Sequence, residues 1–168
     1  LLADASLNLP DFRAHERTFQ VITQVSGRAG RADIVGEVVI QTLNPEHPVL
    51  LAASRHEQDE FYRNELASRK LFHFPPFHRA VMVRFQHSNA HKVESFAYQV
   101  VQLLQNESPR RFPSCQILGP AEAPISKVKK MYRWQCLVKS ESVKEIQGVL
   151  KLLFETAAHT NYTFGENK

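Results

Sequence analysis

The residues of this chain best suited to chemistry are two arginines, Arg28 and Arg31, near the end of a predicted helix. They belong to the run Gln-Val-Ser-Gly-Arg-Ala-Gly-Arg that starts at Gln24, and their spacing places both on one helical face. A guanidinium is a permanently charged, forked donor suited to phosphate oxygens, and Gly27 and Gly30 leave the backbone open to a ligand. We expect the arginines to reach a nucleoside triphosphate, with Gln24 orienting water or a phosphate oxygen. The run alone leaves a second interpretation open, a basic helix end that meets the C-terminal dipole.

A second group of cations lies between Lys127 and Trp134, where basic and aromatic residues alternate. This composition is typical of a nucleic-acid surface. The candidate phosphate contacts, expected at the tip of a hairpin, are Lys127, Lys129, Lys130 and Arg133. Tyr132 and Trp134 share the strand parity of the apolar residues that follow, so we expect both rings in the core. The alternative for the four cations is a solvated basic loop.

Charged residues also precede the arginine run, at Arg13, Glu16 and Arg17. One interpretation is that they position the helix against DNA or a second lobe. The other, which we favour, is an ion-paired helix start in which Asp11 and Glu16 neutralise the two arginines.

Composition excludes several classes of protein. The chain has 168 residues, of which 43% are hydrophobic, as in globular domains, and a formal charge of +4 that mildly favours a polyanionic partner. The two cysteines, Cys115 and Cys136, lie far apart, which indicates reduced core thiols in a cytoplasmic protein, and the eight histidines are scattered, so we assign no metal. No apolar run reaches the roughly 20 residues of a membrane span. A phosphate loop and a Mg²⁺-binding acidic motif are also missing, so we expect half of a catalytic site.

The first part of the chain is expected to complete an α/β unit. Leu1–Ala5 suggests the end of a buried strand, a helix is predicted from Ala14 to Arg28, and Val38-Val39-Ile40 predicts a strand covered on both faces within Glu37–Thr42. The proline-bracketed segment Asn44–Pro48 is the expected domain boundary, which divides the chain into residues 1–44 and 45–168. Two helices should follow, at 48–54 and 57–70, before Phe74-Pro75-Pro76-Phe77 ends the second and buries its two Phe residues.

The second part alternates between strand and helix periods. A half-buried strand is predicted around Val81–Phe85, a helix from Ala90 to Gln105, and a polar loop at Asn106–Pro113. A short strand at Cys115–Leu118, stopped by Gly119-Pro120, should then precede a longer strand at Tyr132–Val138. A capping box at Ser142–Glu145 opens a last helix, and Tyr162–Phe164 is the candidate fourth strand. This order, βαββαβ, predicts a ferredoxin-like plait.

Several runs resemble the primosomal protein N′, or PriA, family of bacterial replication-restart helicases. They are Leu-Pro-Asp-Phe-Arg-Ala from Leu9, the arginine run from Gln24, Gly-Glu-Val-Val-Ile-Gln-Thr from Gly36, Pro-Glu-His-Pro from Pro45, Phe-Pro-Pro-Phe from Phe74, Ile-Leu-Gly-Pro from Ile117 and Arg-Trp-Gln from Arg133. The resemblance covers nearly the whole chain. It implies the end of a RecA-like helicase lobe, followed by a C-terminal domain similar to ribosomal protein S10.

The resemblance assigns Gln24, Gly27, Arg28 and Arg31 to helicase motif VI of superfamily 2. It implies ATP and Mg²⁺ at a site completed by another lobe, with the family's zinc-binding cysteines upstream of Leu1. The implied partners are branched DNA at replication forks, single-stranded DNA-binding protein and primosome proteins, in the cytoplasm. The chain departs from the family at Asn161–Lys168, where relatives usually end in a different strand, and at Ala121-Glu122-Ala123-Pro124, where an acid replaces smaller or apolar residues.

We therefore expect the C-terminal part of an ATP-dependent 3′-to-5′ helicase that recognises stalled forks and initiates primosome assembly. The missing initiator Met suggests a fragment, which alone should not hydrolyse ATP. The alternative is a stand-alone module of the ferredoxin-like kind that binds nucleic acid or protein without ATPase activity. A phosphate loop encoded upstream of Leu1 would separate the two.

Overall fold

The computed structural model describes residues 3–29 and 37–159. The helices and strands of these residues are α1 Asp4–Leu7, α2 Ala14–Ala29, α3 Pro48–Ser54, α4 Gln58–Leu71, β1 Arg79–His87, α5 Ala90–Arg111, β2 Gln116–Val128, β3 Met131–Ser140 and α6 Val143–His159. The chain divides into two compact units, the first ending at Phe72 and the second starting at His73. This division lies after the expected boundary at residues 44–45, which stays a prediction about the family's domains.

The first unit is helical and forms its core around α2. The helical period of this segment predicted α2 correctly, and its buried residues include Phe19 and Ile22. The Phe19 ring stacks on Phe61 of α4 with the centroids 4.0 Å apart. The predicted helices at 48–54 and 57–70 are confirmed as α3 and α4, and His47 caps α3 by accepting a hydrogen bond from the Val49 amide.

Two predictions for the first unit are wrong. Of the strand end predicted at Leu1–Ala5, residues 1–2 lie outside the described residues, and from Asp4 the chain forms helix α1, with Asp4 accepting hydrogen bonds from Thr42 and Leu43. Residues 37–42 make only an isolated bridge at Gln41, whose carbonyl accepts from the Ala3 amide. Val39 is 72% exposed, because the described residues supply no strands to cover it. The expected remnant of a RecA-like lobe therefore stays a proposal.

The second unit is an α+β domain with helices on one side of a sheet. Its three strands are antiparallel in the order β1-β3-β2. The alternate residues of each strand turn toward α5 and α6, which supply Val100, Leu104 and Val149 among the fully buried side chains. The strands predicted around Val81–Phe85 and Tyr132–Val138 are confirmed. The candidate fourth strand at 162–164 lies outside the described residues.

Two elements of the second unit are longer than predicted. Helix α5 continues to Arg111 instead of yielding a loop at Asn106, because its buried face continues through Leu104 and Ser108 and Pro109 falls in the last turn. Strand β2 continues past Gly119-Pro120 instead of stopping there. The pairing with β3 is interrupted by a register shift between Leu118 and Ala121, which places the two residues in a bulge. Such a bulge on an edge strand tolerates a proline that has no amide to donate.

Two further expectations for the second unit are corrected. Phe77 is 42% exposed rather than buried, whereas Phe74 is half-buried, with the Lys139 ammonium 4.5 Å from its ring centroid. The capping box at the start of α6 is only half formed. Ser142 accepts a hydrogen bond from the Glu145 amide, but the Glu145 carboxylate accepts from the amide and hydroxyl of Ser114.

Candidate functional site: the α2 surface and the β2–β3 hairpin

The described part of the arginine run, Gln24 to Ala29, lies in the last turns of α2. Gln24 and Arg28 both lie on this helix and are exposed, and a side chain at Gly27 would meet no atom within 4 Å. One turn earlier, Gln24 joins Arg17, Gln20 and Val21 in lining a shallow depression of about 420 Å³. Arg31 and Gly30 lie outside the described residues. The helix therefore offers a face of hydrogen-bond donors, without a side chain at Gly27 to obstruct a ligand.

An ion-pair cluster fixes the start of α2 against α4. Arg69 donates to Glu16 at 2.7 Å and to Glu65 at 2.9 Å, and its guanidinium carbon lies 5.1 Å from the Phe12 ring centroid. The three charged side chains are only 13%, 28% and 10% exposed, in the order Arg69, Glu16 and Glu65. Burial works against the charged guanidinium, but hydrogen bonds to Glu16 and Glu65 outweigh it and raise the pKa of Arg69.

This cluster corrects one predicted pairing. Asp11 does pair with Arg17, at 2.7 Å, as the ion-paired helix start predicts. Glu16, however, pairs with a residue 53 positions later and not with a neighbouring arginine. No local period connects Glu16 to Arg69, so sequence patterns alone offered no signal for this contact.

The predicted DNA-contacting lysines lie at a tight turn between β2 and β3. Val128 pairs with Met131, leaving Lys129 and Lys130 as the two turn residues. Both adopt left-handed backbone conformations, with φ of 48° and 66°. Two-residue turns of this kind favour Gly, which has no side chain, and Asn, whose short polar side chain tolerates positive φ, whereas positive φ is unfavourable for longer side chains such as lysine. The two exposed ammonium groups therefore occupy backbone positions that lysine seldom adopts.

The other two predicted contacts are separated from this tip and from each other. Lys127 donates to the Tyr132 hydroxyl at 3.0 Å, and its ammonium lies 4.4 Å from that ring centroid. Arg133 pairs in register with Gln86 on the opposite face of the sheet from Tyr132. The four cations therefore do not form one patch, and only Lys129 and Lys130 share the tip.

The parity argument for the two aromatic residues is confirmed. Tyr132 and Trp134 are partly buried and pack against the core of the second unit. The Trp134 ring lies 5.5 Å from that of Tyr98 on α5, measured between centroids. Trp134 is therefore part of the packing between sheet and helix.

The cysteines are free thiols. Cys136 is buried, and burial raises its pKa to about 11, while burial also raises the pKa of the half-buried Cys115. Within residues 3–29 and 37–159, no three His, Cys, Asp or Glu side chains are grouped as metal ligands would be. In the same ranges, no helix has both the length and the apolar character needed to cross a membrane.

Comparisons with known proteins place this chain in a family. Residues 70–163 match the family model described as Primosomal protein N C-terminal domain. The replication restart protein PriA of Bacillus subtilis is 36% identical over 155 residues, which cover 92% of this chain and 19% of that protein. The PriA proteins of Synechocystis and Treponema pallidum are 41% and 39% identical, over 83% and 89% of this chain and 16% and 22% of their own lengths.

The chain therefore belongs to the PriA family of replication restart proteins, and the resemblance seen in its motifs is confirmed. It spans about a fifth of the length of these curated relatives.

Proposed function

We propose that this chain is the C-terminal part of an ATP-dependent 3′-to-5′ DNA helicase that recognises stalled replication forks and initiates primosome assembly. The observation that carries the proposal is the open face of α2 in a chain of this family, where Gln24, Gly27 and Arg28 leave room for a phosphate group. In this assignment residues 1–44 end the second helicase lobe and residues 45–168 form the C-terminal domain.

Arg28 and Arg31 would act on the triphosphate of ATP. Charge builds up on the transferred phosphoryl group, and an arginine that reaches it stabilises the transition state without moving protons. Gln24, one turn earlier on the helix, would orient the attacking water. These residues supply donors for an anion and no carboxylate for a metal. Mg²⁺, which neutralises phosphate charge when bound, would thus be held by residues of another lobe, and zinc by an upstream segment.

The β2–β3 hairpin is proposed to contact the DNA backbone. Lys129 and Lys130 are exposed and project cations without any planar geometry for reading bases. Their positive φ values are unfavourable for lysine, and unfavourable backbone conformations cluster at functional sites. Lys127 and Arg133 are also proposed to contact DNA, although Lys127 already interacts with Tyr132 and Arg133 lies on the opposite face of the sheet.

The family also suggests partners. The relatives are named replication restart proteins, which supports a role in replication restart. The partners proposed for that role are forked DNA, primosome proteins and single-stranded DNA-binding protein, in the cytoplasm.

Hydrolysis by the full-length protein tests the motor assignment. Arg31→Ala should lower kcat for DNA-stimulated ATP hydrolysis by about 10³-fold or more, because an arginine finger contributes that much. Arg63→Ala is the matched control, since Arg63 is exposed on α4 and lies outside the motif. Near-normal turnover in Arg31→Ala would favour the alternative interpretation, in which the arginines only end the helix. ATPase activity of this chain alone would contradict a catalytic site that is completed by another lobe.

A further inference from the structure

The sheet of the second unit has one face that α5 and α6 do not cover, which we call the open face. The register places Met82 of β1, Leu137 of β3 and Leu118 of β2 side by side across it. Met82 is 45% exposed and Leu118 is 48% exposed. An apolar row thus crosses all three strands on the side opposite the core.

Polar and basic side chains continue the open face toward the hairpin. Arg84 lies opposite Gln135, and in the next row Gln86 lies opposite Arg133. The two arginines are therefore diagonal neighbours on adjacent strands, and the Cα atoms of such neighbours are about 7–8 Å apart. Neither has a carboxylate partner within the described part of the chain.

Arg133 also has a hydrogen-bond donor for which residues 3–29 and 37–159 supply no acceptor. Its Nε is buried and has no hydrogen-bond partner among the described residues. A buried donor on a charged group is costly to leave unpaired, and two like charges at diagonal positions of neighbouring strands repel each other. An anionic acceptor between Arg84 and Arg133 would relieve both penalties, and phosphate matches the forked geometry of arginine.

We propose that the open face binds a segment of single-stranded DNA, an inference that rests on the proposed role of this chain in DNA binding. Phosphate lies between Arg84 and Arg133, and bases lie against the row formed by Met82, Leu137 and Leu118. The two neighbouring surfaces favour a single strand because it exposes both phosphates and unstacked bases, whereas a duplex offers mainly phosphates at its surface. Gln86 and Gln135 add hydrogen bonds to whichever base edges or sugars lie above them.

The apolar row also distinguishes the open face from the hairpin. Lys129 and Lys130 present charge alone, so they are expected to contact duplex and single strand alike. The open face combines charge with apolar area and discriminates between the two forms. The position of Arg84 follows from strand parity, but its role could not be read from β1 alone because Arg133 arrives from another strand.

The test is binding of this chain to a fluorescein-labelled oligothymidylate of about 20 nucleotides, longer than typical single-strand sites, and to a duplex of equal length. Fluorescence anisotropy across a range of NaCl concentrations gives affinity and salt slope. Arg84→Gln/Arg133→Gln should weaken oligothymidylate binding at least about tenfold and lower the slope by about 0.7 for each arginine. Duplex binding should change much less.

Lys144→Gln/Lys151→Gln is the matched control, because it removes the same charge from α6 on the other side of the sheet. It should leave the oligothymidylate affinity within about twofold of the wild type, since surface charges beyond a Debye length are screened. Arg84→Gln alone, at an exposed position, should give about half of the slope change, so the test does not depend on replacing the partly buried Arg133.

A second measurement locates the strand directly. An oligothymidylate containing 4-thiothymidine should photocrosslink to the β1 peptide that carries Met82. Normal oligothymidylate binding by the folded double variant, or crosslinks confined to the hairpin, would overturn the inference and leave the proposed function standing. Equal losses for single strand and duplex would overturn the assignment to single strands. A wild-type chain that binds neither DNA would remove the proposed DNA-binding function itself.

Discussion

The surface of α2 and the β2–β3 hairpin both present cations to solvent, yet the chain builds them in opposite ways. Arg28 stands on a regular helix whose start is fixed by charged side chains, and Glu16 meets Arg69 at 2.7 Å. Lys129 and Lys130 lie at positive φ in the turn between two strands that pack on a continuous apolar core. The helix is unstrained where it carries its arginine, whereas the hairpin is strained where it carries its lysines.

The difference agrees with the roles proposed for the two surfaces. Catalysis on a phosphate requires a metal, a phosphate cradle and an arginine in one place, and α2 supplies only the last of these. A phosphate contact needs little more than an exposed cation, so the hairpin alone would suffice for the proposed contact. We therefore expect the stability around α2 to depend on its ion pairs, and the stability of the hairpin to depend on the apolar core on which its strands pack.

The largest expected effect comes from removing an aromatic ring that packs against the core next to the hairpin strands. Trp134→Ala should cost about 3 kcal/mol in the free energy of unfolding, at the low end for an aromatic residue because the ring is only partly buried. Urea unfolding of the chain measures the loss, and Ile125→Ala is the control, since Ile125 is 65% exposed. A stable Trp134→Ala protein with selective loss of DNA affinity would instead place the ring in the DNA contact.

The next effect tests the polar support of α2. Arg69→Ala should cost about 2 kcal/mol, because it leaves the mostly buried carboxylate of Glu65 and the partly buried Glu16 without their partner. Arg55→Ala removes a looser pair with Glu57 at 4.0 Å and should change stability by less than about 0.5 kcal/mol. Equal costs in the two variants would mean that the cluster does not stabilise the first unit.

A smaller effect has the opposite sign. Lys129→Asn/Lys130→Gly should stabilise the chain by about 1 kcal/mol, because Asn and Gly suit the positive φ of this turn. The same variant should bind DNA more weakly, with the salt slope reduced by roughly 0.7 to 0.9 per lysine that contacts phosphate. Since this variant folds better than the wild type, weaker binding cannot come from unfolding. Unchanged binding would remove the hairpin from the DNA contact.

The smallest expected effect is a change in how the free energy of unfolding depends on pH, through His47 at the start of α3. Burial, with a contribution from His15, lowers the pKa of His47 below its ordinary value of 6.5, while Asp4 acts in the opposite direction. The unfolded chain then binds a proton at His47 more readily than the folded chain, so stability falls as pH drops below about 6.5. His47→Asn keeps a side-chain acceptor at the helix start, and its unfolding free energy should fall less steeply between pH 7 and pH 5. An unchanged slope would show that His47 does not contribute.

Sequence patterns predicted the helices and strands in which one face is buried in the core along the whole length. The helical period from Ala14 to Ala29 and the alternation in β1 and β3 each record which side chains meet the core, so the faces of Trp134 and Phe85 were readable in advance. Motifs along the chain also indicated the family, because such runs are local in sequence. Residues near Leu1 and Val39 misled because apolar runs there were expected to meet strands that the described residues do not contain.

The sequence predicted the local features of the candidate sites but not the pairs that join distant segments. The sequence by itself determined that Arg28 would lie on a helix and that the lysines would lie at a turn, since both depend on near neighbours. Only the tertiary structure brought Glu16 to Arg69 and Ser114 to Glu145, and placed Arg84 diagonally opposite Arg133. These pairs join segments far apart in the chain, and where such segments meet is decided by how the helices and strands pack.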